Sequence, residues 1–221
     1  MTWTVRCKGC NKPLGDAGRK FCSRECYYKN KKGYIKIHPN LIASGTLAYV
    51  LGALKGDGAI FIRGDGNGVV QLKVTDETFA RCVLKGLQKI KLKPHLRQGK
   101  LYDLERKTPY IVTAYSLEFA RWYLTLTCDA LSNMVKDYPI AFVKGFYEAE
   151  GCCCDAHRLR IYNTDLNLLI LVKGLLQSLS IEARLYPRIL PSSSYLQIHK
   201  NESYANFLST IQPCIKIGEP R

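Results

Sequence analysis

From residue 41 onward the apolar and polar positions follow one pattern written twice. Leu47-Ala48-Tyr49-Val50-Leu51-Gly52-Ala53-Leu54-Lys55-Gly56-Asp57-Gly58 reads as an apolar helix stopped by glycine, and Pro139-Ile140-Ala141-Phe142-Val143-Lys144-Gly145-Phe146-Tyr147-Glu148-Ala149-Glu150-Gly151 reads the same way. The acids that close the two helices, Asp57 and Glu150, lie 93 positions apart. Short alternating segments follow each helix. In the first copy 59–63 and 69–75 flank the Gly64-Asp65-Gly66-Asn67-Gly68 turn and lead into a helix at 79–87. In the second, 158–163 leads into a helix at 168–175, and a shared Lys-Gly-Leu at 85–87 and 173–175 supports the match. Two more strands per copy are expected near 95–104 and 110–115, and near 183–188 and 195–199, with closing helices near 117–126 and 204–211. Each copy is therefore αββαββα, in an α+β chain whose parts are residues 1–40, 41–136 and 137–221.

Alternation assigns faces to the strands, because neighbouring side chains point to opposite sides. Leu72, Val74, Leu159 and Ile161 fall inward. Gln71, Lys73, Thr75, Arg158, Arg160 and Tyr162 fall outward; Arg184, Tyr186 and Arg188 share one face, as do Tyr195, Gln197 and His199. Basic, amide and aromatic side chains on one surface suit phosphate contact and base-edge readout, while an ordinary wet sheet face is the alternative for any one of them. In the helices Gly52 and Gly56, and Gly145 and Ala149, sit four apart, which leaves a small-residue strip on one side of each. Glycine inside a helix costs about 1 kcal/mol against alanine, so the strips imply that the two helices pack together about a pseudo-twofold axis. Asp57 and Glu150 would then meet at two helix C-termini, each before a glycine suited to a left-handed cap. Two carboxylates at the negative ends of two helix dipoles are locally unfavourable, and a divalent cation between them reverses the sign. Oxygen ligands without a paired histidine favour magnesium over zinc there.

Composition sharpens this picture. Among 221 residues, 33 Lys and Arg outnumber 18 acids for a net charge of +15, which points to a polyanionic partner. The excess is uneven: residues 1–40 hold ten bases and two acids. No apolar run approaches the ~18 residues of a membrane span, so no membrane partner is expected. Met1 leads into a polar, basic stretch without a signal-peptide core; an intracellular, cytoplasmic or nucleoid setting with reduced thiols is expected for the ten cysteines.

Four of those cysteines form Cys7-Lys8-Gly9-Cys10 and, eleven residues on, Cys22-Ser23-Arg24-Glu25-Cys26. Two close-spaced pairs suit a tetrahedral Zn2+ site that can fold a segment too short to bury a core. Ser23 or its neighbours can start a helix through Lys29. The module either braces the fold or contacts DNA through Arg19, Lys20, Arg24, Lys29, Lys31 and Lys32. Cys82, Cys128, Cys152, Cys153, Cys154 and Cys214 lack ligand spacing and are expected as buried or strand thiols.

The motifs Val50-Leu51-Gly52-Ala53-Leu54-Lys55-Gly56-Asp57-Gly58 and Val143-Lys144-Gly145-Phe146-Tyr147-Glu148-Ala149-Glu150-Gly151 resemble those of single-chain, two-motif LAGLIDADG homing endonucleases of the archaeal intron-encoded type. The resemblance covers roughly residues 41–217, with the N-terminal module outside it. It implies a saddle whose antiparallel sheets lie along the DNA major groove. It also implies a monomer that cuts both strands of a long double-stranded target, the intron insertion site, by Mg2+-dependent hydrolysis. Asp57 and Glu150 would be the catalytic metal ligands. Asp76 and Asn163 match the polar water-positioning residues by resemblance, although Asp76 stands where an amide is usual. Lys73, Arg160 and Lys216 match its basic positions, and the strand-face residues above, with Arg63, would contact DNA.

The rival is a non-cleaving nucleic-acid binder of the same fold, either an RNA maturase that binds intron RNA or a DNA-binding regulator. Retention of both acids favours cleavage. An intein is disfavoured by the chain ends, and an HNH nuclease by four scattered histidines. The Gly64–Gly68 segment lacks the Lys-Ser/Thr of a phosphate loop and reads as a hairpin turn.

Overall fold

The computed structural model describes residues 5–15, 18–30, 38–99, 108–155, 158–188, 193–199 and 202–215. The chain divides into two compact units, Met1–Ile37 and His38–Arg221. In the first, Cys7 N–H donates to the Lys12 carbonyl at 2.8 Å and Leu14 N–H to Val5 at 2.8 Å, closing a tight knuckle. Asn11 holds its turn at φ 57°, a conformation asparagine tolerates better than most residues. Helix α1 (Arg24–Asn30) begins where Ser23 Oγ accepts the Cys26 N–H at 3.1 Å. No residue of α1 is buried, so no apolar face holds this helix in place.

The second unit carries helices α2 (Gly45–Asp57), α3 (Glu77–Lys89), α4 (Leu117–Leu124), α5 (Cys128–Val135), α6 (Pro139–Glu150), α7 (Leu166–Ser178) and α8 (Glu202–Ile211). Strands β1 (Gly58–Ile62), β2 (Gly68–Val74), β3 (His95–Gln98) and β4 (Tyr110–Tyr115) form one antiparallel sheet in the order β1-β2-β4-β3. Strands β5 (Gly151–Asp155), β6 (Arg158–Asn163), β7 (Arg184–Tyr186) and β8 (Ser194–His199) form the other in the order β5-β6-β8-β7. The order α2-β1-β2-α3-β3-β4-α4 is repeated as α6-β5-β6-α7-β7-β8-α8, the expected αββαββα.

Helix α5 is an addition to the expected pattern. Thr127 caps it, accepting the Ala130 N–H at 3.2 Å, but only Leu131 and Val135 are buried along its eight residues, too few for a periodic signal. Of the strand expected near 95–104, β3 occupies His95–Gln98, and 100–107 lie outside the described residues.

Side chains on one face of each sheet join the core. Val70, Leu72, Val74, Val112 and Ala114 do so in the first sheet, and Leu159, Ile161, Leu196 and Ile198 in the second. Helices α3 and α7 cover these faces with matching positions: Phe79, Ala80, Val83, Gly86 and Leu87 in α3, and Leu168, Leu169, Val172, Leu175 and Leu176 in α7. Both start on an aspartate cap. Asp76 Oδ1 accepts from Phe79 N–H at 2.9 Å, and Asp165 Oδ1 from Asn167 and Leu168 at 3.0 and 3.2 Å. In this alignment Gly174 stands opposite Lys85, so the two Lys-Gly-Leu triplets are one residue out of step. The repeat is real, but that triplet is no part of it.

Helices α2 and α6 are apolar nearly all round because they pack on each other as well as on the sheets. A Cβ on Gly52 would overlap the Phe142 carbonyl oxygen and come within 2.8 Å of Phe146 N; one on Gly145 would overlap the Tyr49 carbonyl and reach 2.9 Å from Ala53 N. The contact is reciprocal, residue for residue, as a twofold axis requires. Backbone therefore meets backbone at the axis, and only glycine fits.

Candidate active site

Asp57 and Glu150 end α2 and α6 on the same side of this contact. A Cβ on Gly56, the residue before Asp57, would overlap Ala149 Cβ and lie 2.9 Å from Glu150 Cγ, so the two helix ends back directly onto each other. Asp57 is exposed and Glu150 half-buried. The glycines that follow are not left-handed caps: Gly58 has φ −81° and ψ 142°, and Gly151 φ −75° and ψ 155°. Each is extended because the first strand leaves straight from the last helical turn. A side chain there would run into Leu54 in one copy and Tyr147 in the other.

Asn163, at the end of β6, donates from Nδ2 to Glu150 Oε1 at 2.8 Å, while its Oδ1 accepts the Asp165 N–H at 2.8 Å. The amide is thus held at both ends and fixes one carboxylate oxygen. Strand register identifies its counterpart. Gly58 pairs with Leu72 and Gly151 with Ile161, so two residues further on Asn163 matches Val74, not Asp76. Asp76 matches the other cap, Asp165. Its carboxylate holds the start of α3, and the position equivalent to the Asn163 amide carries a buried isopropyl group.

A second acid on α6 has no counterpart in sequence reasoning. Glu148 is 1% exposed and accepts Tyr49 Oη–H at 2.6 Å and Cys214 N–H at 2.7 Å. Burial, then the Glu148 charge, pushes the Tyr49 phenol well above its usual range, so it stays a donor. One carboxylate thereby joins the first-repeat helix, the second-repeat helix and the segment after α8. The first-repeat equivalent is Lys55, whose ammonium lies 4.8 Å from the Tyr123 ring centroid; that difference between the copies was the available signal.

The outer sheet faces gather most of the strand residues named from alternation. On the second sheet Arg160 Nε donates to Gln197 Oε1 at 2.7 Å and Nη1 to Tyr162 Oη at 3.3 Å. The Arg160 and Arg188 guanidinium groups lie 5.0 and 5.1 Å from the Tyr195 ring, which stacks on Tyr186 at 4.9 Å. Gln197 reaches His199 Nε2 at 3.0 Å, and Arg158 and Arg184 are exposed on the same face. On the first sheet Lys73 is exposed beside Gln71, whose Nε2 meets Thr113 Oγ1 at 3.4 Å. Arg63 and Thr75 lie just past their strands, and Lys216 is outside the described residues. Alternation in β3 and β4 adds His95, Arg97 and Tyr115, with His95 and Tyr115 stacked at 5.9 Å. Together with Phe61 they wall a hollow of about 230 Å³.

In the N-terminal unit the sulfurs of Cys7, Cys10, Cys22 and Cys26 all lie within 4.8 Å of one another, the closest pairs at 3.4 Å. A zinc tetrahedron with ~2.3 Å bonds has edges of about 3.8 Å, so the donor set fits that ion. Burial raises the Cys7 thiol, but N–H donors from Cys10, Gly9 and Cys22 outweigh it and hold it down at about 6. Hydrogen bonding to Cys7 and burial push Cys26 up to about 12, and sharing with Cys10 pushes Cys22 up. One thiolate makes the next harder to form, an order that a divalent cation reverses. Lys31 and Lys32 lie outside the described residues. Of the remaining cysteines, Cys128 and Cys214 are exposed and outside any strand, contrary to expectation; Cys82 is half-buried on α3, and Cys152 and Cys153 lie in β5 with Cys154.

Residues 137–212 match the model of the LAGLIDADG-like domain. Two proteins of Methanocaldococcus jannaschii are similar in sequence. MJ0314 is 32% identical over 157 residues, 66% of this chain and 59% of that protein. MJ0398 is 26% identical over 213 residues, 89% of this chain and 76% of that protein. The chain thus spans less than two thirds of the length of the first. Among solved structures, the homing endonuclease I-DmoI in complex with DNA and Mn superposes with a TM-score of 0.60 at 21% identity, covering 80% of this chain and 99% of that one. Full-length DUF199/WhiA from Thermatoga maritima gives 0.59 at 16%, covering 81% and 59%. At these identities the structural likeness is one of fold.

Proposed function

We propose that this chain, which carries a LAGLIDADG-like domain and has the two-repeat fold of I-DmoI, is a site-specific endonuclease that breaks both strands of a long DNA target at an intron insertion site, acting as a monomer with Mg2+. The observation that carries this reading is the pair of carboxylates, Asp57 and Glu150, brought to the negative ends of two helices whose backbones touch. A fold needing only to bind a polyanion gains nothing from acids there. The donors are oxygens, and His38, His95 and His199 are engaged with Glu118, Tyr115 and Gln197, so a hard divalent cation suits the site. Such an ion, when bound, polarises a phosphate and lowers the pKa of water. Asn163 acts as a positioning residue, holding Glu150 Oε1 so that the other oxygen keeps one direction. The outer sheet faces supply guanidinium, amide and aromatic groups for groove and phosphate contacts. The four cysteines hold Zn2+, which folds α1 against the knuckle, and the basic residues around them add phosphate contacts.

The test is to incubate the purified protein with Mg2+ and DNA carrying the intronless form of its insertion site. Two cuts are expected, and Asp57→Asn and Glu150→Gln each lower cleavage on the order of 10³-fold, the scale of several kcal/mol of lost charge stabilisation. Tight binding to uncut DNA, unchanged in both variants, sinks the enzyme reading. One zinc per chain is expected by metal analysis; its loss to a chelator together with the loss of α1 by circular dichroism tests the module. A second reading, a nucleic-acid binder that does not cut both strands, is favoured by one observation: the apolar Val74 where the other half has Asn163.

A further inference from the structure

Helix α1 has two opposite sides. Cys26 and Asn30, four residues apart, share the side that faces the knuckle: Asn30 Nδ2 lies 3.7 Å from Cys26 Sγ, and a Cβ on Gly9 would overlap that amide and come 2.6 Å from that sulfur. Tyr28 is two residues from both, about 200° round the helix, so its ring leaves on the far side. It is 60% exposed. Arg24, four residues before it, is exposed on that same side, while Glu25 and Lys29 pair with each other at 2.9 Å along the flank.

Tyr28 therefore takes no part in the packing of α1 onto the four cysteines, and burial does not account for an aromatic ring there. Its ring lies 5.3 Å from Tyr27 with planes 67° apart, and Tyr27 in turn lies 5.4 Å from Phe21. An edge contact covers at most one face of a ring, so Tyr28 keeps an open π-face beside a guanidinium. In a segment with ten bases and two acids, that combination fits a polyanion that also presents flat rings, which is nucleic acid. In a duplex each base is covered by its neighbours, so the ring has nothing to stack on. Folded RNA presents unpaired bases in loops and bulges, together with 2′-hydroxyls that Tyr28 Oη can meet as donor or acceptor.

We infer that Tyr28 and Arg24 form a stacking platform for an unpaired base, and that the N-terminal unit is a docking surface for a single-stranded segment of RNA. This rests on the reading that zinc folds α1 against the knuckle, and on nothing about cutting.

Fluorescence anisotropy with the full chain tests it, using an unstructured RNA of about 16 nucleotides, the DNA strand of the same sequence and a random-sequence DNA duplex. The wild type should bind the RNA more tightly than the DNA strand. Tyr28→Ala should weaken RNA binding about tenfold or more and leave duplex binding unchanged, and Tyr28→Phe, which keeps the ring, should restore most of the loss. Arg24→Gln should lower the slope of log affinity for RNA against log salt by about 0.7. The zinc content of each variant, unchanged from the wild type, shows that the unit is folded. Unchanged RNA affinity in Tyr28→Ala, an equal loss for RNA and duplex, or equal affinity of the wild type for the two single strands overturns the inference. A chain that holds no zinc yet loses RNA on Tyr28→Ala overturns the zinc reading alone.

Discussion

The two repeats agree in their skeleton and differ at the ends of that skeleton. At the axis Gly52 and Gly145 make the same contacts reciprocally, and the covering helices α3 and α7 bury the same five positions. A few residues away the copies part. Asn163 corresponds to Val74, Arg160 to Gln71, and the buried Glu148 to Lys55. Symmetry is enforced where one backbone touches the other, because a change there must be accommodated by both copies at once. Where a side chain meets only its own repeat or an outside partner, each copy is free to take on its own chemistry.

The largest effect is therefore expected at the axis. Gly52→Ala and Gly145→Ala each drive a Cβ into a backbone carbonyl, which no rotamer change relieves. Each should cost about 3 kcal/mol or more, at the upper end of overpacking, and the two values should agree closely. Urea unfolding of the full chain measures both. If one variant is tolerated and the other is not, the reciprocal contact does not govern the helix pair.

Next in size is the difference between the half-sites. Asn163→Ala removes the donor that holds Glu150 Oε1, and should slow the cut on one strand by about 10–100-fold while leaving the other nearly unchanged. Val74→Asn should raise the rate of the opposite strand relative to the first. The two strands of a doubly end-labelled duplex report on the same protein molecules, so the ratio is independent of any loss of folded protein. An unchanged ratio in both variants shows that position 163 does not act on its own half.

The helices, the sheets and the paired acids were legible because their signals are local: period 2 in Gln71–Val74 and a small-residue strip in each long helix. The acids were found as rule-breakers, carboxylates where the helix dipole disfavours them. What failed depended on alignment between copies. Asp76 and Asn163 share a neighbourhood in sequence, but only the pairing of Gly58 with Leu72 and Gly151 with Ile161 shows that they are two residues out of step. Glu148 was hidden for a different reason. Its partners, Tyr49 and the Cys214 backbone, lie 99 and 66 residues away, and no local pattern announces a buried acid satisfied at that range.

The smallest expected effect separates the misleading resemblance from the real one. Gly86 and Gly174 sit in identical Lys-Gly-Leu triplets, yet a Cβ on Gly86 would come 2.7 Å from Val50 Cγ2 inside the core, whereas one on Gly174 meets nothing within 4 Å. Alanine at 174 gains helix propensity in open space and should stabilise by up to about 1 kcal/mol. At 86 the same gain is offset by crowding against a stiff, β-branched neighbour, and a net loss of about 1 kcal/mol is expected. Thermal or urea unfolding of Gly86→Ala and Gly174→Ala should thus give opposite signs. Equal shifts would mean that the triplets are equivalent after all, and that the one-residue offset between α3 and α7 is not the register in which the repeats pack.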